Sequence, residues 1–371
     1  MIVGVPKEVK VREYRVGMVP AGVRQLVNRG HRVIVETQAG VGSGLPDELY
    51  RRAGAELCDT SAEVWNQADM IVKVKEPIES EYDLIRENQI IYTYLHLAAD
   101  LTLTKRLIES KSIAIAYETI QRSDGVLPLL KPMSEVAGRM SIQVGAATLE
   151  KERGGKGILL GGVPGVRRGR ITIIGAGVVG MNACKMAVGM GAEVDILDIN
   201  LDTLNYMDDI FQSRVTTLFS DPDTIAHSVK KADLVIGAVL IPGAKAPNLV
   251  SEDLVSQMEA GSVIVDVAVD QGGCIETVQP TTHDNRTFVK HGVVHYGVTN
   301  MPGAVAYTST FALTNTTIGY ATMLADLGVS QAIKRDPALA LGVNVYKGGV
   351  CCEPVASSLS LEYTPLPELS K

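Results

Sequence analysis

The sequence predicts an α/β protein built from two doubly wound, Rossmann-like domains with a cleft between them. Its 371 residues amount to about two to two and a half typical domains of ~150 residues. From the first residues onward, short β-branched runs alternate with helix-length amphipathic segments, the pattern of parallel strands covered by helices on both faces. Residues 171–180, ITIIGAGVVG, place a GxGxxG directly after an apolar run and before a helical one.

Each element follows from a local pattern. IVGVP opens as a strand, AGVRQLVNRG follows as a helix, and HRVIVET returns as a strand. SAEVWNQA reads as a helix, MIVKVKE as a strand, DLIRENQ as a helix and IIYTYLHL as a strand. The helix LTKRLIES and the strand SIAIAYE close this first series. A second series starts near Ser134 with the helical SEVAGRMSIQVGAATLEKE. It continues through the strands ITIIGAG, EVDILDI, RVTTLFS, ADLVIGAV and GSVIVDVAV, each separated by a helix-length segment. From about Ala306 the tail reads mainly as helix, too short for a third α/β domain, and is expected to pack back on the first. The expected division is therefore 1–130 plus 306–371 for a substrate or catalytic domain and 131–305 for a nucleotide-binding domain.

Composition narrows the function classes. Hydrophobic residues at 46% and charged residues at 21% exclude a disordered or collagen-like chain, and aromatics at 5% leave the core to Val, Ile, Leu and Ala. A formal charge of −7 argues against a nucleic-acid partner, which needs a basic face. The one basic cluster, Lys151 to Arg170, reads as a solvated connection. Five cysteines without a CxxC form neither a disulfide framework nor a zinc ribbon, and a reducing cytoplasm is expected. MIVGVPKEVK lacks the pattern of a secretory signal. Gly292 to Ala325 holds no Asp, Glu, Lys or Arg over 34 residues, but ten of them are Ser, Thr or Asn, which reads as buried or cofactor-lining chain and not as a membrane span.

The glycine motif carries the first chemistry. Gly175 permits the tight turn, Gly177 lets backbone approach a pyrophosphate, and Gly180 lets strand and helix pack closely while the helix N-terminus faces the anion. The next strand ends at Asp198, where a carboxylate would accept hydrogen bonds from an adenosine ribose; Asp195 is the rival acid but lies inside the strand. No Arg follows to hold a 2′-phosphate, so NAD is expected as cofactor over NADP.

Ligands of open parallel sheets bind beyond the carboxyl ends of the strands, which singles out Arg15, Lys75, His96 and Asp270. An Arg fork and a Lys ammonium suit a small carboxylate, a His exchanges protons near neutral pH, and an opposing carboxylate orients or deprotonates. Two other constellations carry no site. In KHGVVHYGV, which alternates like a strand, His291 and His295 would lie ~13 Å apart, too far to share a metal, so no metal is expected. Cys351 and Cys352 have no partner base recognisable in sequence.

The segments GVPKEVKVREYRVGMVP, VKVKEP, YLHLA, KPMSEVAGRMS, GAGVVG, GAVLIPGAKAP, VDVAVDQGG and VTNMPGAV, in this order, closely resemble the alanine dehydrogenase family. The resemblance implies that His96 and Asp270 are catalytic and that Arg15 and Lys75 hold the carboxylate and carbonyl of pyruvate or alanine. It also implies that Ser134, Val178, Val179, Asp198, Ser220, Val239, Leu240, Val267, Val298, Asn300 and Met301 line NAD. The implied activity is reversible oxidative deamination of L-alanine to pyruvate and ammonium, in a cytoplasmic homohexamer with no membrane partner. The similarity extends to the soluble NAD(H)-binding subunit of proton-translocating transhydrogenase, the alternative function, and more distantly to lysine-forming saccharopine dehydrogenase.

Overall fold

The computed structural model describes residues 1–239 and 246–366. The chain divides into two compact units, Met1–Met133 with Val305–Lys371, and Ser134–Ala304.

The first unit begins with six strands: β1 (Ile2–Val5), β2 (Arg32–Glu36), β3 (Glu56–Cys58), β4 (Met70–Val72), β5 (Ile90–Thr93) and β6 (Ile113–Ala116). All pair in parallel, with Val3 opposite both Val33 and Met70. Val3, Val5, Ile34, Ile71 and Ile91 are wholly buried, as expected of strands covered on both faces. Gly4 is needed for that cover: a Cβ there would come within 2.6 Å of the Cβ of Ala68, at the end of the helix Ser61–Gln67.

The second unit contributes β7 (Arg170–Ile174), β8 (Glu193–Asp198), β9 (Thr216–Phe219), β10 (Leu234–Gly237), β11 (Val263–Asp266), β12 (Thr287–Lys290) and β13 (Val293–Tyr296). Among the described residues they form one seven-stranded sheet in the order β12-β13-β11-β10-β7-β8-β9, parallel except for the β12–β13 hairpin. The returning tail adds β14 (Val343–Tyr346) and β15 (Gly349–Val350) to the first sheet, whose order is β15-β14-β6-β5-β4-β1-β2-β3. β14 runs antiparallel to β6.

Several local expectations change. KHGVVHYGV is not one strand: His291 and Gly292, with φ of 52° and 76°, turn the chain between β12 and β13 as a two-residue hairpin requires. DLIRENQ is a run of turns after the four-residue helix Glu79–Tyr82, because the Arg86 and Gln89 side chains take the carbonyls of Trp65 and Ala68. The tail holds strands as well as the helix Ala306–Arg335, which is broken at Gly328 (φ 70°). In that helix Ser309, Thr310, Thr314 and Thr317 are buried, with Thr314 donating to the carbonyl of Thr310 at 2.8 Å. No helix among the described residues is long and apolar enough to cross a membrane.

The basic segment is more than a solvated connection. Lys156 and Arg167 both pair at 2.6 Å with Asp233, which is fully buried. Burial alone would raise that carboxyl, but the two cations hold it down at about 2.

Candidate functional site

In the second unit the glycine loop between β7 and the helix Val178–Gly189 performs three separate tasks. Gly175 has φ of 99°, and its amide donates to the carbonyl of Leu197 at 2.8 Å. A Cβ on Gly180 would lie 1.8 Å from the carbonyl oxygen of Gly175, so strand end and helix meet there at backbone distance. A Cβ on Gly177 would meet nothing within 4 Å, and the helix it starts has no side-chain cap. An uncapped helix N-terminus opening onto space is what a pyrophosphate requires, so the residues present fit a dinucleotide.

Asp198 ends β8 beside this loop. Its Oδ2 accepts the amide of Ala176 at 2.7 Å and its Oδ1 that of Asn200 at 2.9 Å, which fixes the carboxylate and leaves lone pairs for a ribose diol. The amide of Ser220, just past β9, donates to the carbonyl of Asp198 at 3.0 Å. Val239 follows β10 and would stand 3.0 Å from a Cβ on Gly175. Val267 and Asp270 follow β11, while Val298, Asn300 and Met301 follow β13. Val178 and Val179 open the helix. Thus the expected cofactor positions named so far lie at the carboxyl ends of strands or in the first turn of the helix after β7, and two others remain. Ser134 is on the helix Lys131–Thr148, which packs closely enough on the glycine loop's helix that a Cβ on Gly138 would reach 2.2 Å from the carbonyl of Val179. Leu240 lies outside the described residues.

Asp270 is exposed in a short 3-10 turn, Val269–Gln271. Its loop is closed by Asp266, a residue that sequence reasoning missed: the buried carboxylate accepts the amides of Ala268, Cys274 and Ile275 at 2.9, 2.8 and 3.2 Å. Burial pushes this carboxyl up to about 6, against the pull of those amides.

In the first unit Arg15, Lys75 and His96 belong to one polar cluster. Arg15 is buried and forks onto Glu13, with both contacts at 2.6 Å, and its third nitrogen faces Met133 Sδ at 3.2 Å. Burial works to raise the Glu13 carboxyl, but Arg15 and Lys75 hold it below the usual range. The Lys75 ammonium makes no hydrogen bond or ion pair among the described residues. Burial and the neighbouring Arg15 push it down, with Glu76 and Glu13 opposing. His96 follows β5 with φ of 52°, a left-handed conformation uncommon outside glycine and held here by Glu118, which accepts its amide at 2.6 Å. The His96 side chain is 49% exposed, and its Nδ1 lies 3.5 Å from Glu76 Oε2.

A buried triad supports the strand-end loop that carries Lys75. Glu8 accepts the amide of Val74 at 2.6 Å, and Lys73, wholly buried, pairs with Glu81 at 2.6 Å and with Glu8 at 3.5 Å. The Glu81 carboxylate in turn accepts the amide of Ile78 at 3.1 Å. None of these carboxylates was singled out from sequence; the alternating Val and Lys of VKVKEP resembles an ordinary half-exposed strand.

His295 is buried with Nε2 at 2.7 Å from the Thr277 hydroxyl, and His291 pairs with Glu252 at 2.7 Å. Among the described residues no group of three His, Cys, Asp or Glu is arranged to hold a metal. Burial pushes the Cys351 thiol up to about 11, which makes it a poor nucleophile.

Residues 4–137 match the family model described as Alanine dehydrogenase/PNT, N-terminal domain, and residues 141–353 the one described as Alanine dehydrogenase/PNT, C-terminal domain. The alanine dehydrogenase of Methanococcus maripaludis is 58% identical over 366 residues, 98% of each chain. A solved L-alanine dehydrogenase matches with a TM-score of 0.95 at 51% identity, covering 100% of both chains. A solved transhydrogenase from Sinorhizobium meliloti matches with a TM-score of 0.83 at 25% identity, over 94% of this chain and 100% of that one.

Proposed function

The chain belongs to the alanine dehydrogenase/PNT family, and on that premise we propose that it catalyses the reversible, NAD-dependent oxidative deamination of L-alanine to pyruvate and ammonium. The observation that carries this reading is Lys75. An ammonium with no ion pair among the described residues, partly buried beside the Arg15 guanidinium, is costly to keep unless an anionic or carbonyl-bearing substrate completes it. Transfer of hydride between two nucleotides, the transhydrogenase alternative, gives that group nothing to do.

The two units divide the labour. Residues 1–130 with 306–371 hold the small substrate, and 131–305 hold the dinucleotide through Gly175, Gly177, Gly180, Asp198 and the strand-end positions named above. When bound, NAD supplies the acceptor for the hydride that leaves Cα of alanine. Arg15, oriented by Glu13, attracts the substrate carboxylate with its charge, and Lys75 polarises the carbonyl of pyruvate or its imine. Water adds to the imine and a proton is released; His96 takes it, being the side chain suited to exchange protons near neutral pH. Asp270 orients the attacking water or departing ammonia and balances positive charge on the imine. Assembly as a homohexamer and residence in the cytoplasm complete the proposal.

The test is NADH formation from a panel of L-amino acids, repeated with NADP. Alanine with NAD gives the highest kcat/KM; activity that requires two nucleotides and no amino acid overturns the proposal. Light scattering of the purified chain checks the hexamer.

A further inference from the structure

We propose that Glu76 is a positioning residue for His96, fixing the proton on Nδ1 so that Nε2 presents its lone pair to the reaction. The proposal rests on His96 acting in the alanine reaction described above, but its geometry stands apart from it. Oε2 of Glu76 is buried with no hydrogen bond, and the His96 Nδ1 lies 3.5 Å away. A buried carboxylate oxygen without a donor is costly, so closing that gap by a few tenths of an ångström is favourable.

The other groups around the ring do not compete for this role. Glu118 is engaged by the backbone amides of Leu95 and His96, and Asp100 caps the following helix through the amide of Leu103. Lys75 only donates, and the Tyr94 ring, 6.0 Å from the imidazole between centroids, stacks beside it. Lys10 pairs with the opposite oxygen of Glu76, so the carboxylate is held from one side while it faces His96 with the other. The result is a Lys10–Glu76–His96 chain that sets ring orientation and tautomer, as carboxylate–histidine pairs do wherever one nitrogen must stay unprotonated.

The experiment uses the full chain with isotope-labelled histidine ring nitrogens at mildly alkaline pH, without substrate. The His96 nitrogen shifts should report the Nδ1–H tautomer in the unmodified protein and in Glu76→Gln, whose amide oxygen still accepts. In Glu76→Leu they should move to the Nε2–H form that free histidine prefers. In parallel, kcat for L-alanine should fall roughly tenfold or more in Glu76→Leu with NADH affinity unchanged, and Glu76→Gln should recover most of it. An Nδ1–H signature that persists in Glu76→Leu, or an Nε2–H signature in the unmodified chain, overturns the proposal. Since the nitrogen signals need no substrate, failure to oxidise alanine would sink the assigned reaction without disguising the result for Glu76.

Discussion

Oδ2 of Asp198 accepts the backbone amide of Ala176 at 2.7 Å, which fastens the acid at the end of β8 to the middle of the glycine loop after β7. A carboxylate held there bonds a ribose 2′-hydroxyl and repels a 2′-phosphate. NAD should therefore be preferred over NADP by roughly tenfold or more in kcat/KM, and Asp198→Ala should narrow that ratio. Initial rates with both cofactors decide it, and equal use by the unmodified protein would contradict it.

The second and third glycines of the loop should respond in different ways. At Gly180 a Cβ would lie 1.8 Å from a backbone oxygen, so Gly180→Ala should cost about 3 kcal/mol of stability or more. At Gly177 a Cβ meets only open space, so Gly177→Ala should change stability by about 1 kcal/mol or less while weakening NADH binding roughly tenfold. Thermal unfolding and NADH fluorescence titration separate the two.

Lys75→Ala should lower kcat/KM for pyruvate roughly a hundredfold or more and leave NADH affinity nearly unchanged, since losing a charged partner at a desolvated site costs a few kcal/mol. Steady-state kinetics in the direction of pyruvate amination provide the check; near-normal turnover would return Lys75 to a purely structural role.

Asp266 should leave a signature in the pH dependence of stability. Its folded carboxyl is raised to about 6 from 3.8, so protonation favours the folded state: this contribution is full below the unfolded value and is lost as pH rises through about 6. Relative to Asp266→Asn, the unmodified chain should gain about 1 kcal/mol on going from about pH 7.5 to about pH 5. Urea unfolding at the two pH values measures the difference, and parallel changes in both proteins would refute it.

Legibility in the sequence followed the range of the contacts. The geometry of the glycine loop could be read because Gly175, Gly177, Gly180 and Asp198 lie within one β-α-β unit, each placed through a property of its own backbone or charge. Arg15, Lys75 and His96 were visible as basic side chains just past strand-like runs. Their carboxylate neighbours were not: Glu13, onto which Arg15 forks, and Glu76, which pairs with Lys10 and faces His96, look like surface acids until folding buries them, and Glu118 reaches His96 from 22 residues away. The strands β14 and β15 were hidden for a similar reason: both are short, β14 pairs with β6 only across more than two hundred residues, and β15 pairs in turn with β14. KHGVVHYGV holds only the last residue of β12 before entering β13, whose four residues are all buried, and only the His291–Gly292 pair marked where the strand reversed.

The most direct measurement is the fate of the α-hydrogen. With α-deuterated L-alanine and NAD, mass spectrometry should find one deuterium in the NADH formed, together with pyruvate and ammonium in equal amount. NADH without deuterium, or reduction that proceeds without alanine once a second nucleotide is supplied, would contradict alanine dehydrogenation by this chain.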